Sequence, residues 1–143
     1  MVSRTVLIAV EPFGDALGAE RAGRPIGRGL QAADPALTVD VCPIEQSPGG
    51  GGADLQGLDF DARARAARAV VLGAERLDER TLLGSAPFEL ATRARQAGVP
   101  AYAVASINEL SLFDARMLDL QVVLIAHDVR SLRRAGERLA GLL

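Results

Sequence analysis

The stretch VVLGAERLDERTLLGSAPFELATRARQAGVPAYAVAS, residues 70–106, decides the fold. RAVVLG (68–73) is short, β-branched and apolar, the pattern of a buried strand. SAPFELATRARQAG (85–98) is the clearest helix: Ser85 stands at its N-cap, Pro87 in its first turn, and Gly98 where it must stop. PAYAVAS (100–106) is again a strand. Strand, helix and strand in succession predict parallel pairing, with the helix laid over one face of a sheet.

The flanking segments repeat the pattern. TVLIAV (5–10), LTVDVCP (37–43) and LQVVLIA (120–126) read as strands. Residues 15–33 read as a helix with Ala22, Ile26, Leu30 and Ala33 on one side, and NELSLFDARML (108–118) as another. SLRRAGERLAGLL (131–143) is amphipathic, with Leu132, Ala135, Leu139 and Leu142 on one face. The expected fold is therefore α/β: one doubly wound, mainly parallel five-stranded sheet with helices on both faces. The first helix is a poor one. Each of Gly18, Gly23, Gly27 and Gly29 costs about 1 kcal/mol against alanine and Pro25 about 3. It is expected to kink at Pro25 and to need packing from outside the chain.

Composition narrows the function. The 143 residues fit one domain, and 49% are hydrophobic but only 3% aromatic, so the core must be aliphatic. The net charge of −2 gives no basic stripe for nucleic acid. No apolar run approaches the roughly 20 residues that span a bilayer, and the N-terminus lacks the form of a signal peptide. A cytoplasmic protein without nucleic-acid or membrane partners is expected. The single Cys42 makes no internal disulfide and reads as a small buried hydrophobe. All sixteen basic residues are arginine.

In open parallel sheets, ligands bind beyond the carboxyl ends of the strands. Three segments leave those ends: EPFGD (11–15), PIEQSPGGGG (43–52) and GAERLDERTLLGSAP (73–87). In the last, Arg76 offers a fork to an oxyanion, Asp78 an acceptor for a hydroxyl or a metal, and the N–H groups at Ser85 and Ala86 the positive end of a helix. Read on spacing alone, a surface turn with an Arg–Asp pair and a capping serine is the favoured reading. The run Gly49–Gly52 lacks the following Gly-Lys-Ser/Thr of a phosphate loop and does not open a helix, so it reads as a linker. His127 and Asp128 end the last strand as a candidate acid–base pair with no third partner, which favours a solvated histidine. No zinc-ligand spacing and no nucleophile elbow occur.

Residues 70–106 resemble the C-terminal signature of the bacterial glycerate kinases, in which an apolar strand runs into Gly-Glu-Gly-Arg-Ile-Asp and then a Thr-Leu-x-Gly-Lys-x-Pro helix start. VLIAVEPFGDALGAERAGRPIGRGL resembles the family's first strand, Pro-Asp-Ser-Phe-Lys loop and first helix, and ALTVDVCPIEQSPGGGG its second strand and glycine loop. The resemblance implies the Rossmann-like half of that fold over residues 1–143, with the family's second domain missing between about 50 and 66. It implies a substrate contact by Glu11, Arg76, Asp78, Thr81 and Ser85. Arg76 and Asp78 match the signature, whereas its glutamate becomes Ala74 with Glu75 beside it. The first loop reads Glu11, Pro12, Phe13, Gly14 in place of Asp-Ser-Phe-Lys. The helix-start lysine is Ser85, and the second loop's aspartate falls near Gln46. Codon bias turns lysine into arginine, not into glycine or serine.

Phosphoryl transfer rests on positioning and charge, so these departures argue against a kinase acting alone. The implied function is the small subunit of a split enzyme. A separately encoded partner chain would supply the missing domain and most catalytic groups, and the pocket would hold a phosphate- or sulfate-bearing small molecule. No metal or cofactor is expected on this chain. The chemistry of that class is elimination or ring closure, such as aziridine formation in secondary metabolism. Two alternatives stand beside it: a glycerate kinase using ATP and Mg²⁺, and a non-catalytic scaffold for a partner enzyme.

Overall fold

The computed structural model describes residues 3–45 and 55–143. Five parallel strands, β1 (Thr5–Val10), β2 (Thr38–Pro43), β3 (Ala69–Leu77), β4 (Ala101–Asn108) and β5 (Leu120–Ile125), form one sheet in the order β2-β1-β3-β4-β5. The helices are α1 (Ala19–Ala33), α2 (Phe60–Arg65), α3 (Ala86–Gln96), α4 (Leu112–Met117) and α5 (Val129–Ala140), with a 3-10 turn at Glu79–Leu83. The α/β class and the five-stranded parallel sheet are as the sequence predicts.

Alternation along the buried strands divides the core in two. Val6, Ile8 and Val10 of β1 meet Ala22, Ile26 and Leu30 of α1 and Leu132, Ala135 and Leu139 of α5. Leu7 and Ala9 of β1, with Val70, Leu72 and Ala74 of β3, meet Phe60 and Ala64 of α2 and Leu90, Ala91 and Ala94 of α3. Cys42 is buried in that second layer, and burial pushes its thiol pKa up against the lowering pull of Arg63.

The weak first helix finds its packing inside the chain. A Cβ on Gly29 would land on the Arg133 carbonyl oxygen of α5, and one on Gly136 would land on the Ile26 carbonyl oxygen of α1. The two helices thus touch backbone to backbone at this crossing, which no residue with a side chain permits. Gly23 and Gly27 give room to Val41 and Val39 of β2. The expectation of an external cover for α1 is therefore corrected: its glycines are the contact surface for α5 and β2.

Other boundaries shift. Residues 15–18 precede α1, which runs through a buried Pro25 to Ala33 in one assigned helix. β3 runs on to Leu77 and β4 to Asn108, beyond the predicted 73 and 106. α5 begins at Val129 and ends at Ala140, so Leu142 lies beyond it and is half-exposed. The short α2 was not read from the sequence. Gln46 and Gly49–Gly52, named above, lie outside the described residues.

Candidate functional site

The chain leaves β1 for β2 on one side and reaches β3 on the other, so the topological switch lies between β1 and β3. Glu11 follows β1 there, and its backbone N–H donates to the Gly73 carbonyl of β3 at 2.8 Å. Arg76 stands near the end of β3, three residues beyond Gly73, rather than in a loop as expected. Asp78 then starts the 3-10 turn, and Ser85 caps α3.

Glu11, Arg76, Asp78, Thr81 and Ser85 line one cleft of about 220 Å³, together with Arg80 and Pro87. The fold thus brings the five sequence-selected residues to one place at the carboxyl ends of the strands. Their hydrogen bonds show what each is doing. The Asp78 carboxylate accepts from the Arg80 N–H at 2.9 Å, and the Asp78 N–H donates to the Thr81 hydroxyl at 3.0 Å, a reciprocal capping box. Thr81 is buried by it. The Ser85 hydroxyl donates to the Thr81 carbonyl at 2.9 Å and accepts from the Phe88 N–H at 3.5 Å. Pro87 has no N–H to offer, so the donor left in the first turn of α3 is that of Ala86.

Arg76 and Arg80 are the two arginines on this cleft, and Arg76 is the one that the sequence singles out. Its Nη1 donates to Glu109 Oε1 at 2.8 Å and lies 3.9 Å from Asp78 Oδ2, with about half of the side chain exposed. An arginine so placed exchanges a solvent-exposed carboxylate for a ligand oxyanion at small cost, because exposed pairs are worth only about 0–1 kcal/mol. A second, wider cleft of about 600 Å³ opens on the other side of Arg76, lined by Asp78, Glu79, Arg80, Glu109 and Asp114. The sequence reading missed Glu109. It directly follows β4, the carboxyl end next to β3, and that position was the available signal.

The first loop faces a third cleft of about 340 Å³, with Gly14, Asp15, Glu45 and Glu75 on its walls. Gly14 has φ +74°, a left-handed conformation, and a Cβ there would lie 3.1 Å from Glu75 Oε2. A lysine at this position would strain the backbone and crowd that carboxylate. Ser85, at the other lysine position, is committed to its cap. The chain contains no lysine elsewhere, and among the described residues no group of three His, Cys, Asp or Glu side chains is arranged to hold a metal.

The His127–Asp128 pair resolves into a helix cap. Asp128 accepts from the Ser131 N–H at 2.8 Å and from its hydroxyl at 2.7 Å, and these bonds hold the Asp128 carboxyl below its usual range. The His127 N–H donates to Ser131 Oγ at 2.8 Å. Among the described residues no helix is long and apolar enough to cross a membrane.

The class the fold defines is a doubly wound α/β domain, with polar clefts at the carboxyl ends of its strands. The glycerate kinase family model matches residues 53–143, and the chain belongs to that family. No curated protein matches it in sequence. Among solved structures, the crystal structure of an oxidoreductase from Corynebacterium diphtheriae is similar over 99% of this chain and 97% of its own, with a TM-score of 0.57 and 13% identity. That likeness concerns the fold.

Proposed function

We propose that this chain is the α/β subunit of a split, glycerate-kinase-like enzyme, in which the cleft at Arg76 holds the phosphate or sulfate group of a small molecule. The observation that carries the reading is the convergence of Glu11, Arg76, Asp78, Thr81 and Ser85 on one cleft at the switch between β1 and β3. The Arg76 guanidinium supplies the charge, and the Ala86 N–H at the start of α3 adds a dipole of the right sign. With glycine and serine at the two lysine positions, the bound group is a leaving group in an elimination or ring closure, aziridine formation being one case, rather than a group accepted from ATP. A separately encoded chain supplies the second domain and most of the reacting groups.

A scaffold role is the second reading, and one observation favours it: Asp78, Thr81 and Ser85 are all engaged in bonds that shape the backbone. Co-expression with the products of the flanking genes separates the readings. The split-enzyme account expects a co-purifying product and an assembled activity that Arg76→Ala lowers at least tenfold while the complex persists. Activity unchanged by Arg76→Ala supports the scaffold. Turnover of ATP and glycerate with Mg²⁺ reinstates the kinase. A chain that meets no flanking product overturns the proposal.

A further inference from the structure

The net charge of −2 hides a segregation. α1 carries Arg21, Arg24 and Arg28, and α5 carries Arg130, Arg133, Arg134 and Arg138, all of them exposed. The acids within the two helices are Glu20 and Glu137, and each is already paired one turn away, to Arg24 at 2.6 Å and to Arg133 at 3.6 Å. At the helix ends, Asp34 and Asp128 accept from the N–H groups of Ala36 and Ser131. Arg21, Arg28, Arg134 and Arg138 form no ion pair with any described residue. Codon bias accounts for arginine in place of lysine, not for a face with so few acids.

Elsewhere charge is arranged differently. On the opposite face, Arg63 of α2 pairs with Asp40 of β2 at 2.6 Å, and Arg93 of α3 with Asp61 of α2 at 2.7 Å. The carboxyl ends of the strands are acidic, with Asp15, Glu45 and Glu75 around one cleft and Glu79, Glu109 and Asp114 around another. The outer face of α1 and α5 is basic by contrast. At their crossing, Gly29 and Gly136 leave no side chain between the backbones, so the two sets of arginines are drawn close together.

We propose that this face docks an acidic helix of a partner protein, whose carboxylates seat on the arginines of both helices. Arg21, Arg24 and Arg28 recur every three or four residues, as do Arg130, Arg134 and Arg138, so each row repeats once per helical turn, about 5.4 Å. Carboxylates at the same spacing on an acidic helix meet them in register, and each planar guanidinium donates two parallel bonds to a carboxylate. Other occupants fit less well. A membrane surface calls for an apolar stripe open beside the charges, and the apolar stripes of α1 and α5 are buried in the core. Single-stranded nucleic acid calls for aromatic stacking, and neither helix has an aromatic residue. Duplex DNA calls for an element that enters a groove, whereas both helices lie flat on the sheet. A second copy placed on this face by a two-fold axis sets arginine against arginine. Docking here is independent of what the Arg76 cleft binds.

Fluorescence anisotropy at about 0.15 M salt, where weak surface attraction is screened, tests the proposal. The probe is a labelled, stapled helical peptide with glutamates along one side of an alanine background, and saturable one-to-one binding is expected. Arg21→Glu with Arg28→Glu, and separately Arg130→Glu with Arg134→Glu, each weaken it at least tenfold, with far-ultraviolet circular dichroism unchanged. Arg116→Glu, at an exposed arginine of α4, and Arg76→Ala change it less than twofold. A stapled peptide of the same composition with its glutamates spread around the helix binds at least threefold more weakly. Absence of saturable binding overturns the proposal, as does equal binding of the two peptides or indifference to the α1 and α5 changes. Labelled duplex DNA, or vesicles of anionic phospholipid, bound more tightly than the first peptide overturns it too.

Discussion

The two faces of the sheet differ in how they are closed. One is sealed by α1 and α5, which meet without side chains between them at Gly29 and Gly136. The other carries α2 and α3 over its centre but only the six-residue α4 near β5, with its apolar side chains in solvent. Each face nevertheless has its own extensive buried core. The clefts lie at the carboxyl ends of the strands, at one end of the sheet and not on either face.

The largest test of this contrast falls on the helix crossing. Gly136→Ala, or Gly29→Ala, gains about 1 kcal/mol in helix propensity but forces the backbones apart, and overpacking typically costs 1–3 kcal/mol or more. A net loss of about 2 kcal/mol is expected in urea unfolding. A neutral result would mean that α1 and α5 are less tightly apposed. On the opposite face, Arg63 ties α2 to β2 through Asp40 and the Val41 and Leu58 carbonyls. These groups are partly exposed, so Arg63→Ala is expected to cost about 1–2 kcal/mol, and to speed alkylation of the buried Cys42.

Two capping boxes, one on each side of the comparison, provide smaller effects. Asp78→Ala removes the cap of the 3-10 turn beside the cleft and is expected to cost about 1 kcal/mol in urea unfolding. Asp128 caps α5, and Ser131 holds its carboxyl below the usual carboxylate range. A carboxyl whose pKa is lowered by folding contributes stability above its unfolded pKa and loses it as the pH falls through the folded value. Urea midpoints measured between pH 7 and pH 2 should therefore fall less steeply for Asp128→Asn than for the unaltered chain.

The strands and α3 were legible because their patterns are local: β-branched runs, a capping serine, a first-turn proline and a terminal glycine. The ends of β3 and β4 were not, because Glu75, Arg76, Ile107 and Asn108 extend past the buried centre and carry no strand pattern. The glycines of α1 were visible, but the sequence gives no sign that their counterpart is Gly136, more than a hundred residues away. Arg76, Asp78, Thr81, Ser85 and Glu11 could be picked out of the sequence, and the fold puts them on one cleft. Their separate duties were hidden, since a hydroxyl that caps a helix and one that faces a ligand look alike in sequence.

The central claim is that the Arg76 cleft binds an oxyanion. Titration of the ¹⁵N-labelled chain with inorganic sulfate, followed by two-dimensional amide spectra, tests it directly. The account predicts saturable shifts confined to Arg76, the 3-10 turn and the Ala86 amide, abolished in Arg76→Ala. Shifts absent from these residues, or unchanged by that substitution, would contradict it.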